Sequence, residues 1–158
     1  MTRIVASIEY ETIPRPTGLP DDMQPLLGAS LQFLSITAVD GFKVEAALWR
    51  PENKAPVDTT MIVQVHGSGG NLASFPLRVS ARALSVKGYA ALSISTRQHD
   101  EHVNTDNFFD VRRDIEAAVA IARRSAIDAS CFKATASGRF RSHSMPLLTG
   151  ILRSEPLS

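Results

Sequence analysis

The residues best suited to chemistry in this chain are His66-Gly67-Ser68-Gly69-Gly70-Asn71. They follow a short uncharged apolar run, 61–65, and precede a segment with helical spacing. Three glycines among six residues let the backbone adopt positive φ and approach a ligand closely. A helix N-terminus directly behind such a turn adds partial positive charge. Successive amides in this setting can stabilise an oxyanion that develops during attack on a carbonyl. The same glycines would also serve a plain, tight strand-to-helix turn. A dinucleotide-binding loop fits less well, because the residue three places after Gly69 is Leu72 and no acidic residue ends the next strand. The lysine of a phosphate-binding Walker loop is absent as well.

Other reactive side chains are sparse. His99 and His102 flank Asp100 and Glu101, which suggests a metal site, but the remaining histidines are His66 and His143 and the segment reads as a solvated loop. No metal and no cofactor is expected. Cys131 has no neighbouring feature that would lower its pKa, so an inert thiol is expected. As the single cysteine it excludes an intrachain disulfide and suits a reducing, cytoplasmic compartment.

The elements that must position the glycine turn can be read from local patterns. Leu31, Phe33 and their neighbours form one strand, and Asp40-Gly41 marks a hairpin turn. Phe42, Val44, Ala46 and Leu48 then alternate with Lys43, Glu45, Ala47 and Trp49, the period of a half-buried antiparallel strand that Pro51 ends. The 61–65 run reads as a strand buried on both faces. Ser74 is placed to cap a helix with Pro76 in its first turn, Leu77, Ala81 and Leu84 on its inner face and Gly88 at its end. Residues 89–94 form the next strand. A second helix starts near Asp106 or Asn107, with Phe108, Val111, Ile115, Ala118 and Ala122 on one side and Arg112, Arg113, Glu116, Arg123 and Arg124 on the other. Strands alternating with helices imply an α/β fold: an antiparallel hairpin leading into a parallel sheet flanked by helices.

The flanks differ in character. Residues 1–29 carry Pro14, Pro16, Pro20 and Pro25 and read as a surface arm, with a short edge strand over 4–10. Residues 30–127 form the domain. Residues 128–158 lose all periodicity, and 129–158 hold one acidic side chain, Glu155, against Lys133, Arg139, Arg141 and Arg153. Overall, 44% apolar and 21% charged residues match soluble globular averages, and a net charge of +1 gives no electrostatic reason to expect nucleic acid or an anionic membrane as partner.

The order Asp40-Gly41, Leu48-Trp49-Arg50-Pro51, Val63-Gln64-Val65-His66-Gly67-Ser68-Gly69-Gly70, Lys87-Gly88-Tyr89, Arg97 and the amphipathic helix over 110–122 resembles the N-terminal half of an α/β-hydrolase. The resemblance covers about residues 31–127. It implies a serine hydrolase cleaving a small-molecule ester, amide or peptide, with the backbone N–H of Ser68 as an oxyanion donor and His66, Gly67, Gly69 and Gly70 at the substrate. It also implies that His66 supports the turn instead of acting as the catalytic base. The nucleophile of that family sits in Gly-x-Ser-x-Gly. The nearest candidate is Ser144 in Ser142-His143-Ser144-Met145-Pro146, which lacks both glycines. After Ser144 only Glu155 is acidic and no histidine follows, so the family's triad cannot be completed in this chain. For a fold built from βαβ units of roughly 30 residues or more, 158 residues is short. The alternative expectation is therefore a truncated or frame-altered, inactive fragment that serves at most as a binding module.

Overall fold

In a computed structural model, the structure describes residues 8–54, 58–100 and 107–127. Five strands form one mixed sheet: β1 (Tyr10–Ile13), β2 (Ala29–Thr37), β3 (Lys43–Pro51), β4 (Met61–Val65) and β5 (Ala90–Ser95). Helix α1 (Phe75–Val86) joins β4 to β5, and α2 (Val111–Ile127) follows a short 3-10 turn at Phe108–Asp110. The sheet order is β1-β2-β3-β5-β4. Only β4 and β5 are parallel; the other neighbours pair antiparallel. The sheet is thus more antiparallel than strand–helix alternation alone implies, because β3 returns to lie against β5.

The two helices cover opposite faces. Leu34, Ile36, Val44, Ala46, Leu48, Leu92 and Ile94 pack with Ala117, Ala118 and Ile121 of α2. Phe33, Ala47, Trp49 and Ala91 pack with Ala81 of α1 and with Met23 from the N-terminal arm. Consecutive side chains of a strand point to opposite faces, so Ala46 and Ala47 enter different cores. This corrects the expectation for β3: it alternates at first, but from Ala46 to Trp49 every residue is buried, since both helices lie over it.

The strand expected to be buried on both faces, β4, is only partly buried, whereas β5 is buried throughout. The reason is topological: among the described residues β4 pairs with β5 alone and lies at the sheet margin. The edge strand expected over 4–10 is displaced as well. Residues 1–7 lie outside the described residues, and the strand that lines the other margin is β1, ended by Pro14 and paired from Tyr10↔Ile36 to Ile13↔Phe33. Phe108 was placed on the buried face of the second helix by spacing, yet it is 71% exposed. The 3-10 turn, capped by Asn107 through its side chain, ends before α2 begins and breaks the helical phase.

Helix α1 ends as its glycine predicts. Gly88 has φ +87°, its N–H donates to the Ser85 carbonyl at 3.2 Å, and the Tyr89 N–H donates to the Leu84 carbonyl at 3.1 Å. These paired bonds satisfy the last carbonyls of the helix in a Schellman arrangement.

Candidate oxyanion turn and its supports

β4 ends at Val65, and a tight turn over 67–70 closes with Gly70 N–H donating to the Gly67 carbonyl at 3.0 Å. Gly69 has φ +67°, a conformation that side chains with a Cβ disfavour. Gly70 is required for a different reason: a Cβ there would lie 2.7 Å from Ser74 Oγ and 3.0 Å from His66 Cβ. Gly67 meets neither condition, since a Cβ at that position would touch nothing within 4 Å. Gly67, Ser68 and Gly69 are exposed, while His66 and Gly70 are half-buried.

Behind the turn, the chain enters α1 through a net of short-range bonds. Ser74 occupies the N-cap position with extended backbone, but its hydroxyl does not bond the helix amides. It accepts from the Asn71 N–H at 2.9 Å instead, while Asn71 Oδ1 accepts from the Ala73 N–H at 2.8 Å. The Leu72 N–H donates to the buried Ser95 Oγ at 3.0 Å and ties the turn to the end of β5. Ser74 thus braces the turn more than it caps the helix.

His66 bridges the ends of both parallel strands. Its Nε2 accepts from the Thr96 backbone N–H at 3.0 Å and lies 3.1 Å from Thr96 Oγ1. Its Nδ1 lies 2.7 Å from the Gly67 carbonyl. On the far side of the turn, Asn71 Nδ2 donates to Asp100 Oδ1 at 2.7 Å, and the Asp100 N–H donates to the Gly70 carbonyl at 3.3 Å. Asp100 has φ +48°, and it is also bonded to His99 Nδ1 at 2.9 Å. The hydrogen bond from His99, aided by the one from Asn71, holds the Asp100 carboxyl below the ordinary carboxylate range.

Next to this turn lies an ion cluster that the sequence did not reveal. The Arg97 guanidinium, 7% exposed, meets the fully buried Asp114 of α2 at 2.7 Å and Asp40 of the β2–β3 turn at 2.9 Å. Arg113 reaches the same Asp40 oxygen at 3.1 Å, and Arg97 lies 4.6 Å from the centroid of the Phe42 ring. The hydrogen bond from Arg97 lowers the Asp40 pKa from 3.8 to about 2, and the Arg97 pKa is raised chiefly by its bond to Asp114. One signal was available in the sequence: Asp114 falls four residues before Ala118, on the stripe that also carries Ala117 and Ile121.

Ser144 and Cys131 lie outside the described residues, as do Glu101 and His102 of the candidate metal loop. Among the described residues no group of three or more His, Cys, Asp or Glu is placed to hold a metal ion. No helix among them is long and apolar enough to cross a membrane.

A sheet in which an antiparallel lead-in precedes a parallel pair, with a glycine turn after the outer parallel strand, has relatives among solved structures. The esterase Est22 is similar at TM-score 0.50 and 16% identity, over 71% of this chain and 36% of that one. A mutant of the same esterase aligns at TM-score 0.51 and 14% identity, over 72% of this chain and 34% of that one. The described residues have part of an α/β-hydrolase fold. An acetyl xylan esterase from Paenibacillus sp. R4 is also similar, at TM-score 0.45 and 21% identity, over 58% of this chain and 26% of that one. The chain therefore spans about a quarter to a third of the length of these esterases. No protein-family model and no curated protein matches it.

Proposed function

We propose that the chain carries the oxyanion-binding part of an α/β-hydrolase of the serine type, acting on a small carboxylic ester or amide. The observation that carries this reading is the exposed 67–70 turn, which follows the parallel strand β4 and precedes α1 in an α/β-hydrolase fold. Nucleophilic attack on a carbonyl moves charge onto its oxygen. A backbone N–H held in advance at that point lowers the barrier because nothing has to reorganise during the reaction. Ser68 supplies that N–H, with Gly67, Gly69 and Gly70 leaving the approach open and His66 bracing the turn. His66 is not the base in this scheme, since its Nε2 lone pair accepts from Thr96. Ser144 is the nucleophile candidate, and the cytoplasm is the compartment that suits a chain with the single Cys131.

A second reading has its own support. Ser142 and Pro146 replace both glycines of the nucleophile motif, which favours a chain that binds at this turn without turnover, or that associates with a partner. One experiment separates the two. The purified chain is assayed with a short-chain aryl ester and a serine-directed fluorophosphonate, alongside Ser68→Pro and Ser144→Ala. Proline fits the second position of a turn whose third residue has positive φ, so Ser68→Pro removes the N–H and preserves the turn. Hydrolysis is expected to fall about 10²–10³-fold in Ser68→Pro, and labelling is expected to vanish in Ser144→Ala. A wild-type chain that neither hydrolyses nor labels sinks the hydrolytic reading and leaves the silent one.

A further inference from the structure

Two consecutive amides at the end of β5 donate in different directions. The Thr96 N–H reaches His66 Nε2 at 3.0 Å, and the Arg97 N–H reaches Asp114 Oδ2 at 2.8 Å. Planar peptides leave only the φ and ψ of Thr96 between these two groups, so anchoring one restricts the other. Arg97 is anchored unusually well. Its Nε, Nη1 and Nη2 contact two carboxylates on two different elements, Asp114 on α2 and Asp40 in the β2–β3 turn, and it sits against Phe42.

The imidazole on the other side has one proton arrangement that fits its neighbours. A backbone N–H can only donate, so His66 Nε2 must hold a lone pair toward Thr96. A carbonyl can only accept, so His66 Nδ1 must carry a proton toward Gly67 at 2.7 Å. Both constraints select the neutral Nδ1–H tautomer, and the partner of one ring nitrogen dictates what the other can do. The Gly67 carbonyl then accepts from His66 Nδ1–H and from Gly70 N–H together, which fastens the turn at its first residue.

We propose that Arg97 is a positioning residue for the 67–70 turn: held by Asp114 and Asp40, it keeps the Thr96 N–H on His66 Nε2, confines the His66 proton to Nδ1, and so fixes the turn that presents the Ser68 N–H. The proposal deepens the oxyanion reading of that turn and rests on it. Loss of the Arg97 fork leaves the backbone N–H at position 97 on Asp114 as the remaining tie, so the chain at Thr96 moves more freely, and His66 then samples both tautomers while the Gly67 carbonyl loses its second donor.

The test is long-range ¹H–¹⁵N NMR of the histidine rings in the full chain, at alkaline pH where imidazoles are neutral, with His66 assigned from His66→Gln. Wild type is expected to show a protonated Nδ1 and an unprotonated Nε2. In Arg97→Gln the two nitrogen shifts are expected to move toward each other, and the Gly70 amide, which donates to the Gly67 carbonyl, to exchange about tenfold faster. Asp40→Asn, at a partly exposed position, is expected to give a smaller change in the same direction if Arg97→Gln fails to fold. Leu34→Ala, a core change that removes none of the Arg97, Asp114 and Asp40 contacts, controls for general destabilisation and should leave the tautomer unchanged. A His66 that keeps its wild-type pattern in both Arg97→Gln and Asp40→Asn overturns the proposal, as does a Leu34→Ala variant that shifts it equally. Methylphosphonate, an oxyanion mimic, is added to wild type as a separate arm. If His66 is locked but the Ser68 amide does not respond, the oxyanion reading alone is overturned.

Discussion

Two turns lie at the same end of the sheet, and they are held in opposite ways. The 38–42 turn between β2 and β3 places Gly41 at φ +84° and is tied down by charge, with Asp40 bonded to both Arg97 and Arg113. The 67–70 turn places Gly69 at φ +67° and is braced by neutral groups: His66, Ser74 and backbone amides. Both meet at the consecutive residues Thr96 and Arg97, one through the Arg97 guanidinium and the other through the imidazole on the Thr96 N–H. The charged corner is the anchor. The neutral turn is exposed at Gly67, Ser68 and Gly69.

Breaking the charged corner should have the largest consequence. Asp114→Ala leaves Arg97 buried with only Asp40 for a partner, and such losses cost about 3–5 kcal/mol. Urea unfolding should show this as a lower midpoint at unchanged slope; a variant within error of wild type would mean that the corner does not anchor the sheet end.

The neutral turn should respond less. Gly70→Ala puts a methyl 2.7 Å from Ser74 Oγ and 3.0 Å from His66 Cβ, an overpacking worth about 1–3 kcal/mol. The same methyl at Gly67 meets nothing, so Gly67→Ala is the matched control. Equal stability of the two variants in thermal unfolding would refute the steric account of Gly70.

Acid gives a third way to separate the turns. The Asp40 carboxyl titrates at about 2 in the folded chain against an ordinary 3.8. A depressed carboxylate pKa stabilises the fold above the unfolded value, and the contribution is lost as pH falls from there through the folded value. Because Asp40 retains 24% side-chain exposure, the loss is put at about 1 kcal/mol after screening. Stability measured in urea between about pH 5 and about pH 2 should fall more steeply for wild type than for Asp40→Asn.

The smallest effect calibrates the others. Arg112 and Glu116 form a 3.0 Å ion pair one turn apart on the exposed side of α2. A double-mutant cycle to alanine should give about 0.3–0.5 kcal/mol, and a coupling as large as that of the Arg97 corner would erase the distinction between buried and exposed charge on this helix.

Much of the scaffold was legible because it follows local rules. Asp40-Gly41 marked a hairpin, Gly88 marked a helix end, and the order of strand, glycine turn and helix around His66 to Ser74 was read in place. Position alone gives the Ser74 hydroxyl to the helix amides, but the close 71–74 turn offers it the Asn71 N–H first. Phe108 followed the helical period on paper, but a 3-10 turn intervenes and leaves it exposed. Asp114 escaped notice because its partner is 17 positions away, beyond the reach of any periodicity.

The sequence by itself determined where the chain turns, since glycine conformations, caps and apolar periods act over a few residues. It also marked the 66–70 segment as the candidate for chemistry, because clustered glycines permit a tight turn with little side chain over its amides. Which strand would be central, which carboxylate would be buried, and which proton His66 would carry were decided by tertiary structure. Each depends on what a distant element brings: β3 returning against β5, α2 presenting Asp114 to Arg97, and the end of β5 presenting Thr96 to His66. Burial and hydrogen-bond direction are properties of the assembled neighbourhood, and no residue carries them alone.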